Sequence, residues 1–190
     1  MKTIFFETID NTQNYALENY DSEPLLVLSY SQDSGRGREK KEWQNADQSL
    51  AVSLVFENSN EKLNNTLIPL IAGFCFLEVL ENEEIKLKWP NDINLKENKI
   101  GGILVEEHKG VICVGLGVNY FWANPSIPNA GSLYDEKIDN TLINSDAEKW
   151  GRLVLDFVEN NKFKLSEYKE KLTTLGKLVE YPEGRGWARD

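Results

Sequence analysis

Between residues 85 and 120 the chain carries four short apolar runs, each separated from the next by turn-forming residues. The runs cover residues 85–89, 93–95, 102–107 and 111–120, and the turns fall at Asn91-Asp92, Glu97-Asn98 and Lys109-Gly110. Runs and turns in this order are typical of antiparallel β-hairpins. The region therefore predicts a fold built on a largely antiparallel sheet.

Helices and further strands are predicted around these hairpins. Apolar side chains recur at helical spacing over residues 64–80, which predicts an amphipathic core helix. Asp146 is predicted to cap a second helix over residues 146–160. The remaining predictions are a helix after Asp10-Asn11-Thr12, a helix over 166–172, and strands over 3–7, 24–30 and 49–57. This mixed order predicts an α+β fold, a mixed and largely antiparallel sheet packed by helices.

Charge and composition exclude several classes of protein. The net charge is −10, which argues against a nucleic-acid-binding or anionic-membrane-binding surface. The longest apolar stretch, residues 67–80, is too short to span a bilayer, and Glu7 interrupts the first apolar run, so we expect a cytoplasmic protein without a signal peptide. Cys75, Cys113 and His108 are the whole supply of cysteine and histidine, so no metal site and no catalytic triad is predicted.

A loop that alternates glycine and arginine is the first segment with a chemical signature. It reads Gly35-Arg36-Gly37-Arg38 and lies in the polar stretch 32–48 between two predicted strands. Glycine permits close approach of the backbone to a ligand, and arginine offers a fork of donors to carboxylate or phosphate oxygens. A solvated basic turn is the alternative for this segment taken alone.

Three further segments combine cations, glycines and amides. Lys88-Trp89-Pro90-Asn91-Asp92 places a lysine at a strand end before a turn, Lys99 precedes the Gly101-Gly102 pair, and Gly115-Leu116-Gly117 leads to Asn119. The alternative for each is an ordinary hairpin end. None of them is a dinucleotide fingerprint or a phosphate loop ending in Gly-Lys-Ser/Thr, so a nucleotide could bind only at another kind of site.

Taken in order, these four segments resemble the motif series of biotin protein ligases, in the short form without an N-terminal DNA-binding domain. The resemblance runs from about Asp10 to Leu133 and includes Asp10-Asn11-Thr12 and Ala130-Gly131-Ser132. It implies a class II synthetase-like catalytic domain of the biotin/lipoate ligase type over residues 1–174. Residues 175–190 are then expected to be a short tail, the remnant of an absent C-terminal β-barrel domain.

The resemblance also implies a reaction. The carboxylate of biotin attacks the α-phosphate of ATP, with Mg²⁺ expected, and gives biotinyl-5'-AMP; a lysine of a biotin carboxyl carrier protein then attacks the adenylate. By position, the implied biotin-binding residues are Asn11, Thr12, Gln13, Gln32, Gly35, Arg36, Gly37, Arg38, Lys88 and Gly102. The implied ATP-binding residues are Arg38, Asn91, Asp92, Lys99 and Asn119, and the implied catalytic residues are Arg36, Arg38, Lys88 and Lys99.

Some positions depart from the family pattern. Glu39-Lys40-Lys41 stands where the loop usually continues with Arg-Gly-Arg, and Asn11 replaces a serine. Two other functions therefore stay open at this point: a catalytically weak or inactive protein that binds biotin or biotinyl-adenylate, and a lipoate or octanoyl transferase relative. A homodimer is also left open.

Overall fold

The structure is a computed structural model that describes residues 1–181 and 184–188. Its central element is a seven-stranded β-sheet. The strands of this sheet are β1 (Lys2–Ile9), β2 (Leu25–Gln32), β3 (Gln48–Glu57), β4 (Ile85–Lys88), β5 (Asp92–Leu95), β6 (Asn98–His108) and β7 (Val111–Phe121). They lie in the order β1-β2-β3-β7-β6-β5-β4. Only β1 and β2 pair in parallel, and every other neighbouring pair is antiparallel, so the predicted α+β class with a mixed, largely antiparallel sheet is confirmed.

Four helices pack on the two faces of this sheet. They are α1 (Thr12–Glu18), α2 (Ile68–Leu80), α3 (Asn140–Glu159) and α4 (Leu165–Glu170). Helices α2 and α3 contact each other and cover one face, whereas α1 lies against β2, β3 and β7 on the other face. A further two-stranded sheet, β8 (Leu178–Tyr181) with β9 (Gly184–Trp187), follows in the segment that was expected to be a tail.

The main hydrophobic core lies between the sheet and the α2–α3 layer. Trp150 of α3 is fully buried and its Nε1 donates a hydrogen bond of 2.9 Å to the Ala72 carbonyl of α2. Helix α2 is closed in by the sheet and by α3, so residues 71–77 are all buried. The amphipathic character predicted for this helix is therefore wrong. Gly73 has the close packing that was expected, since a Cβ there would lie 3.1 Å from side-chain atoms of Ile103 and Leu87.

Helix α3 begins earlier than the sequence pattern predicted. Asp139 caps it, accepting a hydrogen bond of 2.8 Å from the Thr141 backbone N–H. Asp146 is a buried residue inside the helix, so its predicted role as the cap is wrong. The cause is tertiary: Asp146 Oδ2 accepts a hydrogen bond of 2.8 Å from the hydroxyl of Tyr120 on β7.

None of the described helices is both long enough and apolar enough to cross a bilayer.

Candidate functional site

On the α1 face of the sheet, the inward-facing side chains become unusually small near the middle of β3 and β7. Ser53 lies opposite Gly115, and Ala51 opposite Gly117. Gly102 of β6 continues the second row beside Gly117. A sheet normally fills such positions with side chains that pack against a covering layer. Here the small residues form the floor of a cavity of about 410 Å³, a size usual for small-molecule sites.

The first turn of α1 forms one polar end of this cavity. Asn11 caps the helix, its side chain accepting from the Asn14 N–H at 3.0 Å. The backbone N–H and the hydroxyl of Thr12 both donate to Gln32 Oε1, at 2.7 and 3.0 Å, and the Ser53 hydroxyl donates to Thr12 Oγ1 at 2.8 Å. A continuous set of hydrogen bonds therefore fixes the polar groups of α1, β2 and β3 relative to one another.

Gln13 lies directly over the glycine floor. A Cβ on Gly115 would stand 2.7 Å from Gln13 Oε1, closer than real contacts allow, so the glutamine occupies its position because residue 115 has no side chain. Gln13 Nε2 donates to Glu106 Oε2 at 3.0 Å. The same carboxylate oxygen accepts from Arg36 Nη2 at 2.8 Å.

The glycine–arginine loop forms one side wall and part of the roof. The Gly35 carbonyl accepts from the Trp43 N–H at 3.0 Å, and Arg38 Nη1 donates to Asn91 Oδ1 at 3.3 Å, across the cavity. The Trp43 ring lies above Gly117, where a Cβ would come within 3.0 Å of it. Glu39 has a φ of 57°, in the left-handed region that favours glycine.

Lys99, Asp92 and Asn119 stand at the opposite end of the cavity. Lys99 Nζ lies 2.6 Å from Asp92 Oδ1 and 5.7 Å from the centre of the Trp43 ring. Asn119 is 3% exposed, and its Nδ2 donates to the Gly131 carbonyl at 2.9 Å. Its Oδ1 is buried and has no hydrogen-bond partner within residues 1–181 and 184–188, so a donor or cation on a ligand can use this acceptor.

Most residues implied by the motif resemblance meet at this cavity. Those that line it are Asn11, Thr12, Gln13, Gln32, Arg36, Gly37, Arg38, Asn91, Asp92, Lys99, Gly102 and Asn119. Two others do not line it. Gly35 is buried behind the wall, and Lys88 is exposed at the end of β4. Ligand contacts of all these residues stay predictions.

Several residues at the cavity were given no role from the sequence, although some of them lie within the segments that carry the resemblance. They are Trp43, Ser53, Leu104, Gly115, Gly117, Trp122, Ile127 and Ala130, which line it, and Asn14 and Glu106, which hold Arg36. The alternation Gly115-x-Gly117 opposite Ala51-x-Ser53 is a signal that a sheet register would have made readable. Trp122 and Ile127 lie in the loop that follows β7, where the sequence gives no local signal of a ligand site.

Both cysteines are buried and unpaired, as their apolar neighbours in the sequence predict. Burial raises the pKa of the Cys113 thiol to about 12, so the thiol stays protonated at neutral pH. Burial also raises the pKa of the Cys75 thiol. Neither is a candidate nucleophile.

Comparison with known proteins shows that the chain is similar to biotin and lipoate protein ligases. The model of the biotin/lipoate A/B protein ligase family matches residues 5–119. The bifunctional ligase/repressor BirA of Escherichia coli is 29% identical over 123 residues, 58% of this chain and 38% of that protein. The biotin–[acetyl-CoA-carboxylase] ligase of Paracoccus denitrificans is 32% identical over 117 residues, 56% of this chain and 47% of that protein.

A solved structure with a similar fold comes from Aquifex aeolicus. It is a biotin protein ligase in complex with biotin and ATP, with a TM-score of 0.78 and 28% identity, and the match covers 97% of this chain and 84% of that one. The chain spans less than half the length of the two curated relatives named above.

Proposed function

Since the chain belongs to the biotin/lipoate A/B protein ligase family, we propose that it is a biotin–[acetyl-CoA-carboxylase] ligase. It converts biotin and ATP to biotinyl-5'-AMP and pyrophosphate, and then transfers biotin to a lysine of a biotin carboxyl carrier protein. We also expect it to act in the cytoplasm, where its two free cysteines stay reduced.

One observation carries this proposal: a single cavity joins an end rich in amide and hydroxyl groups to a cationic end across a floor of glycines. The amide-rich end holds Thr12, Gln13 and Gln32, which suits the ureido group of biotin with its N–H donors and carbonyl acceptor. The cationic end holds Lys99 and Arg38, which suits a carboxylate and the phosphates that it attacks. The glycines of the floor let Gln13 and Trp43 lie close against the sheet, and the apolar part of the ligand is expected in the cavity above them, between the two ends.

The chemistry needs no nucleophilic side chain. A carboxylate oxygen of biotin forms a bond to the α-phosphorus of ATP while the bond to pyrophosphate breaks. In the second step the amine of the carrier lysine attacks the acyl carbon, AMP leaves, and the nitrogen loses a proton. The protein's contribution is to hold the reactants in line and to stabilise negative charge as it grows on the phosphate, which are tasks for Lys99, Arg38 and ordered amides.

Mg²⁺ is proposed as the ion that accompanies ATP. No cluster of three or more acidic, histidine or cysteine side chains able to hold a metal occurs in the part of the chain that the structure describes. The Asp92 carboxylate and the unpartnered Asn119 Oδ1 are oxygen donors at the cationic end, and Mg²⁺ typically takes one or two such donors together with substrate phosphates. Its chemical contribution there is to neutralise phosphate charge.

The deciding experiment incubates the protein with biotin, ATP, Mg²⁺ and a biotin carrier domain, followed by intact-mass measurement of the carrier. The expected result is a mass increase of one biotinyl group that requires ATP. Lipoate in place of biotin is the matched control. Biotin binding without any modification of the carrier would favour an inactive binding protein, and preferential transfer of lipoate would favour a lipoate transferase.

A further inference from the structure

Glu106, near the end of β6, connects two parts of the cavity wall that are far apart in the sequence. Its Oε2 accepts hydrogen bonds from Arg36 Nη2 at 2.8 Å and from Gln13 Nε2 at 3.0 Å. Arg36 is further held by Asn14, whose Oδ1 accepts from Nη1 at 2.9 Å. One carboxylate on the rigid sheet thus bonds both to the glycine–arginine loop and to helix α1.

The bond to Glu106 decides which way the Gln13 carboxamide faces. A carboxylate only accepts hydrogen bonds, so it selects the NH₂ end of the glutamine. The Leu104 carbonyl, 3.4 Å from Gln13 Nε2, favours the same orientation. The carboxamide oxygen is thereby placed over the Gly115 floor, where the cavity lies.

The hydrogen bond between Glu106 and Arg36 fixes the position of the glycine–arginine loop relative to the sheet. Two of the five N–H donors of the guanidinium are committed to Glu106 and Asn14, so Arg36 acts first as an anchor of the loop on the sheet. The side chains of Arg36 and Glu106 are 31% and 37% exposed, so water weakens the pair without removing it.

We propose that Glu106 is a positioning residue for ligand recognition: it presents the carboxamide oxygen of Gln13 to an N–H donor of the ligand and pins the glycine–arginine loop beside it. The inference rests on the proposed function for the identity of that ligand, a cyclic urea such as that of biotin. Without Glu106 the carboxamide is free to rotate by half a turn. It would then set its own NH₂ group against the N–H donor of the ligand, which is a repulsive arrangement.

The test compares Glu106→Gln with Glu107→Gln, two substitutions that remove the same charge from adjacent positions. Glu107 is exposed on the other face of β6 and contacts Asn65 at 3.2 Å, and a glutamine there keeps an acceptor for that bond. Four quantities are measured on the full chain. They are the biotin affinity by calorimetry, the KM for biotin and the kcat of adenylate formation, and the rate of tryptic cleavage within residues 35–41 of the ligand-free protein.

For Glu106→Gln we expect roughly tenfold weaker biotin binding, the size of one lost charge-assisted hydrogen bond after solvent screening. The KM for biotin should rise by a similar factor while kcat at saturation changes little, and cleavage of the loop should be faster. Glu107→Gln should match wild type in every quantity. A general loss of folding would lower kcat as well, so the split between KM and kcat separates positioning from a purely structural role.

Two results would overturn the proposal, and each is distinct from failure of the proposed function. If wild type binds biotin and Glu106→Gln binds it equally well, Glu106 does not position Gln13, although the ligase function stands. If the loop of Glu106→Gln is cleaved at the wild-type rate, Glu106 does not pin the loop, whatever the ligand is. Absence of biotin binding by wild type would instead count against the ligase function.

Discussion

Lys99 and Asp92 form an ion pair at the cationic end of the cavity, with Nζ 2.6 Å from Oδ1. The two side chains are 40% and 27% exposed, and such pairs contribute only about 0–1 kcal/mol to stability. Their importance therefore lies in position. Asp92 holds the ammonium beside the Trp43 ring at the cavity, where an anionic ligand can take it over, instead of leaving it to extend into solvent.

Lys99→Ala should slow adenylate formation by a factor on the order of 10²–10³ while biotin affinity stays nearly unchanged, because a charge that meets the growing negative charge of the phosphate acts mainly in the transition state. Pyrophosphate release is measured beside biotin binding. Lys96→Ala is the matched control, since Lys96 is exposed in the turn between β5 and β6. A rate within a few-fold of wild type for Lys99→Ala would show that Lys99 is an ordinary hairpin lysine.

Gly115→Ala should weaken biotin binding roughly 5- to 150-fold, the range expected for overpacking of about 1–3 kcal/mol. The added methyl group would stand 2.7 Å from Gln13 Oε1 and displace that side chain from the cavity floor. Gly110→Ala is the control: it has open space but a φ of 85°, so it should lower stability and leave binding intact. Calorimetry and thermal unfolding of both variants separate the two effects, and equal biotin affinity in all three proteins would contradict the assignment of the floor.

Arg38→Gly should release biotinyl-adenylate into solution, because Arg38 connects the loop to Asn91 across the cavity. One such hydrogen bond is worth about 1 kcal/mol, so release should be roughly five times faster. The measurement is labelling of a bystander protein that is not a carrier. Lys109→Gly removes an equal charge in the turn between β6 and β7 and serves as control. Bystander labelling at the wild-type level would mean that the loop does not retain the intermediate.

Local patterns in the sequence predicted the hairpin region well because its pairing is between neighbours in the chain. The strands β4 to β7 lie within two residues of the predicted runs, apart from the start of β6 at Asn98. The cavity was also predictable to a large degree, since Arg38, Asn91 and Lys99 belong to segments whose residue types and order carry a specific resemblance, and all three line it.

Long-range partners account for what the sequence did not predict. The anchoring of Arg36 needs Glu106, 70 residues away, and although Glu106 ends the segment that begins at Lys99, nothing in the sequence indicates this contact. The burial of α2 on all sides depends on α3, which packs against it from the other half of the chain. The start of α3 was misplaced because Asp146 has the residue type of a cap while its carboxylate is used by Tyr120.

Asp146→Asn should stabilise the protein at neutral pH. Burial raises the pKa of the Asp146 carboxyl, and this effect outweighs the hydrogen bond from Tyr120 and the charge of Lys149, which both lower it. A raised pKa in the folded state means that the stability contributed by this group is fully present below its ordinary value of 3.8 and is lost as the pH rises through the folded pKa. At about pH 7 the wild-type protein therefore bears the cost of a buried charge, and asparagine removes that cost while keeping an acceptor for the Tyr120 hydroxyl.

For Asp146→Asn we expect a gain on the order of 1 kcal/mol in the free energy of unfolding by urea at neutral pH, with the difference from wild type shrinking toward about pH 3. Asp146→Ala should instead lose about 1–3 kcal/mol, because it leaves the buried hydroxyl of Tyr120 without an acceptor. If asparagine proves as destabilising as alanine at neutral pH, the charge of Asp146 strengthens its bond to Tyr120 by more than burial costs.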